Sequence, residues 1–327
     1  MPDGEGRALI LADIEGIVGV DDWRDILGTG EGYPAACRDY ARDVNSAVRG
    51  LRAAGAAEVL VVDTHAAGTN LTPEALEGCR LIQDPSILAR IETAFAAGVD
   101  ALVLLGFHAA AGTPDGFVPH SFAVQTRSWL NDNLAGEPAF YALLAGSRRV
   151  PTVLITGDRQ TIEQVRPFAP GAVGVETKAS LSPWRATSFD AASTRAEIES
   201  AASAAYRARA GVPPSALEVP IELKVETQTE VAARLVAGVP GMTRTEGQTA
   251  VFRGEWPEVW RAFVTANSLA ALAATAGGSW YHGPLPGSLV ERLREVAGAE
   301  AQGQIGAYYA AQFSPPWGPA CPPEAMP

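Results

Sequence analysis

Two histidines, His65 and His108, each stand just past a short apolar run, and they are half of the four histidines in the chain. The runs are Val59–Val62, followed by Asp63-Thr64-His65, and Ala101–Leu105, followed by Gly106-Phe107-His108. A third run, Ala8–Leu11, ends in Ala12-Asp13-Ile14-Glu15-Gly16. Imidazole nitrogens and carboxylate oxygens are ligands suited to zinc or a similar divalent cation. A metalloenzyme is therefore the leading expectation. For the ligands to meet, the runs must be neighbouring strands with their carboxyl ends on one edge. Unbroken apolar runs followed by helical patterns read as buried parallel strands, and open α/β sheets bind ligands outside that edge.

The remaining pattern supplies such a frame. A helix is expected from Pro34 to about Ala54, with Val44, Val48 and Leu51 on one face and Gly55 as its stop. Another is expected over Ser86–Ala97 before Gly98. Strands near Val153–Thr156 and Val173–Glu176 flank a helix that starts after Asp158, and an Ala-rich helix runs to Ala210. Pro213-Pro214 marks the expected lobe boundary. Beyond it, strands are expected over Glu218–Val225 and Thr249–Arg253, and helices over Glu230–Ala237 and Trp256–Ala274. A final helix is expected around Leu289–Val296, ahead of a Pro-rich tail. The fold class expected is α/β, with a mainly parallel sheet and flanking helices in the first lobe and a smaller α+β second lobe. The divisions are residues 1–212 for the catalytic lobe, 213–276 for the second lobe and 277–327 for the C-terminal helix and tail.

Composition narrows the function. The chain has 327 residues, 47% hydrophobic, enough to bury a large core. A net charge of −12 argues against nucleic acid or anionic membrane as partner, because both need clustered Lys and Arg. A small peptide or amide suits this surface better. Met1–Arg7 holds two acidic residues and the apolar run after it is interrupted by Asp13, a pattern that fits neither a signal peptide nor a membrane span. Cys37, Cys79 and Cys321 are odd in number and lack CxxC spacing, which argues against a disulfide framework and for a reducing cytoplasm.

The segment from Gly106 to Gly146 carries further chemistry. A loop of small residues, Ala109–Gly116, leads to Pro119-His120-Ser121. A hairpin is expected next, its second strand ending Trp129-Leu130-Asn131-Asp132-Asn133, and Pro138 fits the first turn of a helix that starts at Glu137. Gly16, Gly106 and Gly136 are read as serving backbone geometry. His282 reads as a structural histidine, and Trp256 and Trp260, at helical spacing, as packing or a subunit contact.

In order along the chain stand Asp13-Ile14-Glu15-Gly16, Asp63-Thr64-His65, Gly106-Phe107-His108-Ala109, His120-Ser121 and Asn131-Asp132-Asn133-Leu134-Ala135-Gly136-Glu137. This series resembles the zinc-dependent D-aminopeptidases of dipeptide-transport operons, the DppA-type metallopeptidases. Lys178 matches a Lys of that family, and the resemblance thins through the second lobe. It implies a metallo-aminopeptidase with two zinc ions per chain. Asp13 would bridge them, Glu15 and His65 would complete one site, and His108 and Glu137 the other. Two metals about 3.5–4 Å apart can share a water, lower its pKa and polarise a scissile carbonyl. His120 would be left for catalysis, donating to the oxyanion or protonating the leaving amine. Asp63 would orient an imidazole. Short peptides with an N-terminal D-residue, such as D-Ala-D-Ala, are the implied substrates, and the implied assembly is a closed homo-oligomeric ring, a decamer being one form.

Three other readings stand beside it. One is a metal-dependent amidase of the same fold acting on a non-peptide or L-configured amide. Another is a non-catalytic ring-forming scaffold, against which the presence of His120 beside all five ligands argues. Metallophosphoesterases share the Asp-x-His and Gly-Asp strings, here Asp63-Thr64-His65 and Gly157-Asp158, but this chain lacks their Gly-Asn-His and Gly-His-x-His motifs.

Overall fold

The three runs are strands, and two of the pairings they need are direct: the first strand lies between the other two, parallel to both. In the computed structural model the described residues are 6–28, 30–122 and 126–274. In chain order their elements are β1 (Arg7–Ala12), α1 (Tyr33–Ala53), β2 (Glu58–Asp63), β3 (Arg80–Leu81), α2 (Ile87–Ala96), β4 (Ala101–Phe107), β5 (Thr126–Leu130), β6 (Asn133–Leu134), α3 (Glu137–Gly146), β7 (Thr152–Asp158), α4 (Arg159–Val165), β8 (Val173–Ser182), β9 (Arg185–Ser188), α5 (Ala191–Ala208), β10 (Ile221–Thr227), α6 (Glu230–Ala237), β11 (Thr243–Arg244), β12 (Thr249–Gly254) and α7 (Trp256–Ala274). A 3-10 turn spans Trp23–Ile26.

By backbone contacts these residues form two units. The first is drawn from Met1–Ala109, Asp115–Val118 and Tyr141–Ala216. Its sheet has the order β3-β2-β1-β4-β7-β8-β9, parallel throughout except for the β8–β9 hairpin. The order reverses between β1 and β4, and in such a sheet that switch point is where a crevice opens. Every residue of β4 and β7 is buried, the sign of a central strand covered on both faces. Helix α1 shows why the sequence folds this way. Tyr40, Val44, Val48 and Leu51 recur at helical spacing and are buried, each worth about 1.5–3 kcal/mol for an aliphatic side chain. The helix packs against α5 and the first strands. Helix α2 starts at Ser86, whose hydroxyl accepts from Ala89 N–H, and α4 starts at Asp158, whose carboxylate accepts from Thr161 N–H.

The second unit is drawn from Ala110–Pro114, Pro119–Phe140 and residues from Leu217 onward. Its sheet is antiparallel, ordered β11-β12-β10-β5-β6. Strand β10 buries Ile221, Leu223, Val225 and Thr227 and turns the residues between them outward, the alternation of a sheet with one face in a core. Helices α6 and α7 pack on each other and on this sheet. Phe140 stacks on Phe263 at a centroid distance of 3.5 Å, with Trp256 and Trp260 beside it. These two tryptophans belong to the packing of this unit.

The hairpin expected before Glu137 differs in register. Its strand stops at Leu130, and Asn131 and Asp132 form the turn, with φ of 46° and 66°. Two consecutive left-handed residues suit a two-residue hairpin, and Asn and Asp tolerate that region best among non-glycine residues. The strand before the turn pairs with β10. His282, Cys321 and the helix expected at Leu289–Val296 lie outside the described residues. Among the described residues no helix is long and apolar enough to cross a membrane.

Candidate metal centre

The ends of β1, β2 and β4 are tied by backbone. Asp13 N–H donates to Leu105 O at 2.8 Å and Thr64 N–H to Ala12 O at 2.8 Å, so the ladder continues one step past each strand. Gly16 N–H then donates to Gly106 O at 2.7 Å. Neither glycine can carry a side chain. A Cβ at Gly16 would stand 2.1 Å from Phe107 O, and Gly106 has φ +71° with Asp13 O 2.2 Å from a Cβ position.

Four of the six expected site residues meet there. His65 Nδ1 is 3.0 Å from Glu15 Oε1 and 3.4 Å from Asp13 Oδ1. His108 Nε2 is 3.5 Å from Asp13 Oδ2. The two oxygens of Asp13 thus face two different imidazoles. Donor atoms of Asp13, Glu15 and His65 all lie within 4.8 Å of one another. Asp13, Glu15 and His108 are buried, and His65 is nearly so.

The other ring nitrogens are engaged too. His65 Nε2 is 3.1 Å from Ile26 O, in the 3-10 turn, and His108 Nδ1 is 3.0 Å from Ala109 O. A carbonyl oxygen can only accept, so the nitrogen facing it carries a proton, and the opposite nitrogen, on the carboxylate side, is the one that can offer a lone pair to a cation once it holds no proton of its own. Asp63 does not orient either ring, contrary to expectation. Its carboxylate accepts from Asn70 N–H at 2.6 Å, from Leu71 N–H, from the Asn70 amide and from the backbone N–H of His65. It shapes the loop after β2, because the chain turns back over the carboxylate.

Electrostatics fit a cation. Burial, then the nearby charge of Glu15, raise the Asp13 pKa. Burial opposes ionisation of Glu15 as well, but the His65 charge overrules it and holds that carboxyl far below its usual range. Burial likewise disfavours a charged His65, yet the Glu15 and Asp13 carboxylates raise its pKa well above that of a free imidazole. Two buried carboxylates this close are costly without positive charge between them. An N/O donor set at this spacing fits zinc.

His120 and Glu137 belong to the second unit. Glu137 is the first residue of α3 and is buried, with Pro138 in the first turn as expected. His120 is half-buried, and its backbone bridges to Ala110. Sequence reasoning missed what Lys178 does. It is fully buried, and its ammonium donates to Glu15 O at 2.7 Å and to Val20 O. Burial lowers its pKa to about 8, with Asp21, Asp158, Asp43 and Glu15 pulling the other way. The signal available was the run of three polar residues, Glu176-Thr177-Lys178, in the middle of a strand.

A family model for the M55 peptidases, described as D-aminopeptidase, matches residues 7–265. The D-aminopeptidase of Bacillus subtilis (strain 168) is 27% identical over 183 residues, 54% of this chain and 65% of that protein, so the match spans slightly less than two thirds of that relative. Among solved structures, the zinc-dependent D-aminopeptidase DppA of Bacillus subtilis, a self-compartmentalizing protease, is similar in fold. It has a TM-score of 0.72 and 24% identity, covering 80% of this chain and 97% of that one.

Proposed function

Because this chain belongs to the M55 peptidase family, we propose that it is a zinc-dependent D-aminopeptidase releasing the N-terminal D-residue of short peptides, D-Ala-D-Ala among them. The observation that carries this reading is Asp13, whose two oxygens face His65 and His108 separately. A carboxylate so placed suits a bridge between two ions, since an imidazole offers only one lone pair. Asp13, Glu15 and His65 would hold one zinc ion, and Asp13, His108 and Glu137 a second. Zinc there supplies Lewis-acid polarisation of the scissile carbonyl and a more acidic water.

The chain's own groups do the rest. Ile26 O and Ala109 O hold the two rings with their metal-binding nitrogens, Nδ1 of His65 and Nε2 of His108, inward. His120 donates to the developing oxyanion or protonates the leaving amine, and it holds no metal. The relative's self-compartmentalizing character supports a homo-oligomer here too, a closed ring with its sites facing an inner cavity. Cys37 and Cys79 are free thiols, consistent with a cytoplasmic protein.

The test is hydrolysis of D-Ala-D-Ala, L-Ala-L-Ala and simple D- and L-alanine amides by zinc-loaded protein, following the released amino acid. Release of D-alanine that chelation abolishes is expected. Full turnover by metal-free protein, or cleavage of the L-substrates alone, overturns the reading.

A further inference from the structure

We propose that the Thr177–Lys178 step of β8 is a positioning device for the metal centre, fixing Glu15 through the backbone of the loop that carries it. This rests on the zinc-centre reading above. The device originates in register. Along β7 and β8, Gly157 pairs with Glu176 but Asp158 pairs with Lys178, so Thr177 is an extra residue on β8. A regular strand sends successive side chains to opposite faces. A bulge breaks that alternation and re-aims a side chain. Thr177 and Lys178 are accordingly both buried and both reach the same loop, where alternation would send them to opposite faces.

Both side chains reach the loop after β1. The Thr177 hydroxyl is 2.5 Å from Gly16 O and 3.1 Å from Gly157 O, and having one proton it donates chiefly to the nearer. Lys178 Nζ donates to Glu15 O at 2.7 Å and to Val20 O. Two consecutive residues thus hold two consecutive carbonyls, Glu15 and Gly16, while Gly16 N–H is held by Gly106 O. The peptide plane between Glu15 and Gly16 is fixed at both its oxygen and its N–H, and the plane after it at its oxygen. The N–H of that second plane, on Ile17, donates to Ile14 O at 3.4 Å, so the plane before Glu15 is held through it; with a held plane on either side of its Cα, the Glu15 side chain is directed beside His65. Neither side chain touches the donor atoms. A fully buried ammonium is costly, and apolar replacements at such sites are often neutral or better for stability. A structural need alone does not call for a lysine here.

The test separates positioning from folding. Zinc affinity is measured by competition with a chromophoric chelator, and melting temperature on the metal-free protein, for wild type and three variants. Thr177→Val keeps the shape and removes the donor, Thr177→Ser restores the donor, and Lys178→Met keeps length without charge. The expected result is a zinc affinity about 10- to 100-fold weaker in Thr177→Val and Lys178→Met, with Thr177→Ser recovering most of the loss. Should Lys178→Met fail to fold, the Thr177 pair decides. Wild-type zinc affinity in folded Thr177→Val, whatever its melting temperature, overturns the proposal, as does a Thr177→Ser no better than Thr177→Val. Hydrolysis is not read, so a failure on D-peptides removes the substrate reading and leaves this result standing.

Discussion

The loops after β2 and β4 each present a histidine to Asp13, and they do so with opposite ring nitrogens. His65 turns Nδ1 inward and gives Nε2 to Ile26 O, which lies 39 residues away in another loop. His108 turns Nε2 inward and gives Nδ1 to Ala109 O, its own neighbour. The first histidine depends on tertiary structure for its orientation, whereas the second carries its orientation in the local backbone. His65 also keeps 12% of its side chain exposed, against 0% for His108. The histidine of one half is therefore oriented locally and is dry, and that of the other is oriented from a distant part of the chain and sits at the rim.

The largest effect comes from removing what the halves share. Asp13→Ala is expected to abolish hydrolysis and to empty both zinc sites, read by elemental analysis. Near-complete retention of both metals would end the bridge assignment. Next is His120, proposed to act in catalysis without holding an ion. His120→Ala is expected to keep two zinc ions while kcat falls about 100- to 10,000-fold, and His120→Asn to recover part of that if only hydrogen-bond donation is needed. Loss of a metal from His120→Ala would move it among the ligands.

Single removals then test whether the halves are distinct. His65→Ala and His108→Ala are each expected to retain about one zinc ion, with losses in affinity exceeding the about 10- to 100-fold typical of outer partners. Loss of both ions from either would merge the halves. Acidity sharpens the contrast. The His65 pKa in the folded metal-free protein lies above the free value, so the ring is protonated at neutral pH and zinc must displace that proton. Affinity should thus rise with pH until the raised value is passed. In His65→Ala this rise should flatten, which zinc titrations across pH 6–9 will show. The smallest effect is expected from Asp63→Asn, which weakens acceptance from Asn70 and Leu71 N–H and costs about 1–3 kcal/mol in denaturant unfolding. Zinc loss there should fall on the His65 half alone.

The local half was the more legible in sequence. Ala101–Leu105 is an unbroken apolar run, and a buried parallel strand ending in Gly-Phe-His reads directly. The same logic found β1, β2 and the donor residues at their ends. It failed where a partner is remote. Asp63, two residues before a histidine, invites the reading of an orienting carboxylate, but the chain folds back so that Asn70 and Leu71 reach it first. Ile26 contributes through its carbonyl, and any residue has one. Antiparallel pairing of β5 with β10 joins Trp129 to Lys224, a separation no local pattern encodes. At Thr177 the bulge makes two polar residues inward neighbours, and strand periodicity reads them as an error.

The contact between Gly16 and Gly106 has a consequence for how this protein can vary. Neither residue has a side chain to offer an ion, yet each is enclosed by the other's loop, with no room for a methyl group. A library covering every single substitution, selected for function, should show these two positions as bare as those of the ligands. Adaptation to new substrates would have to come from other parts of the chain, because the seam beneath the centre admits no alternative alphabet.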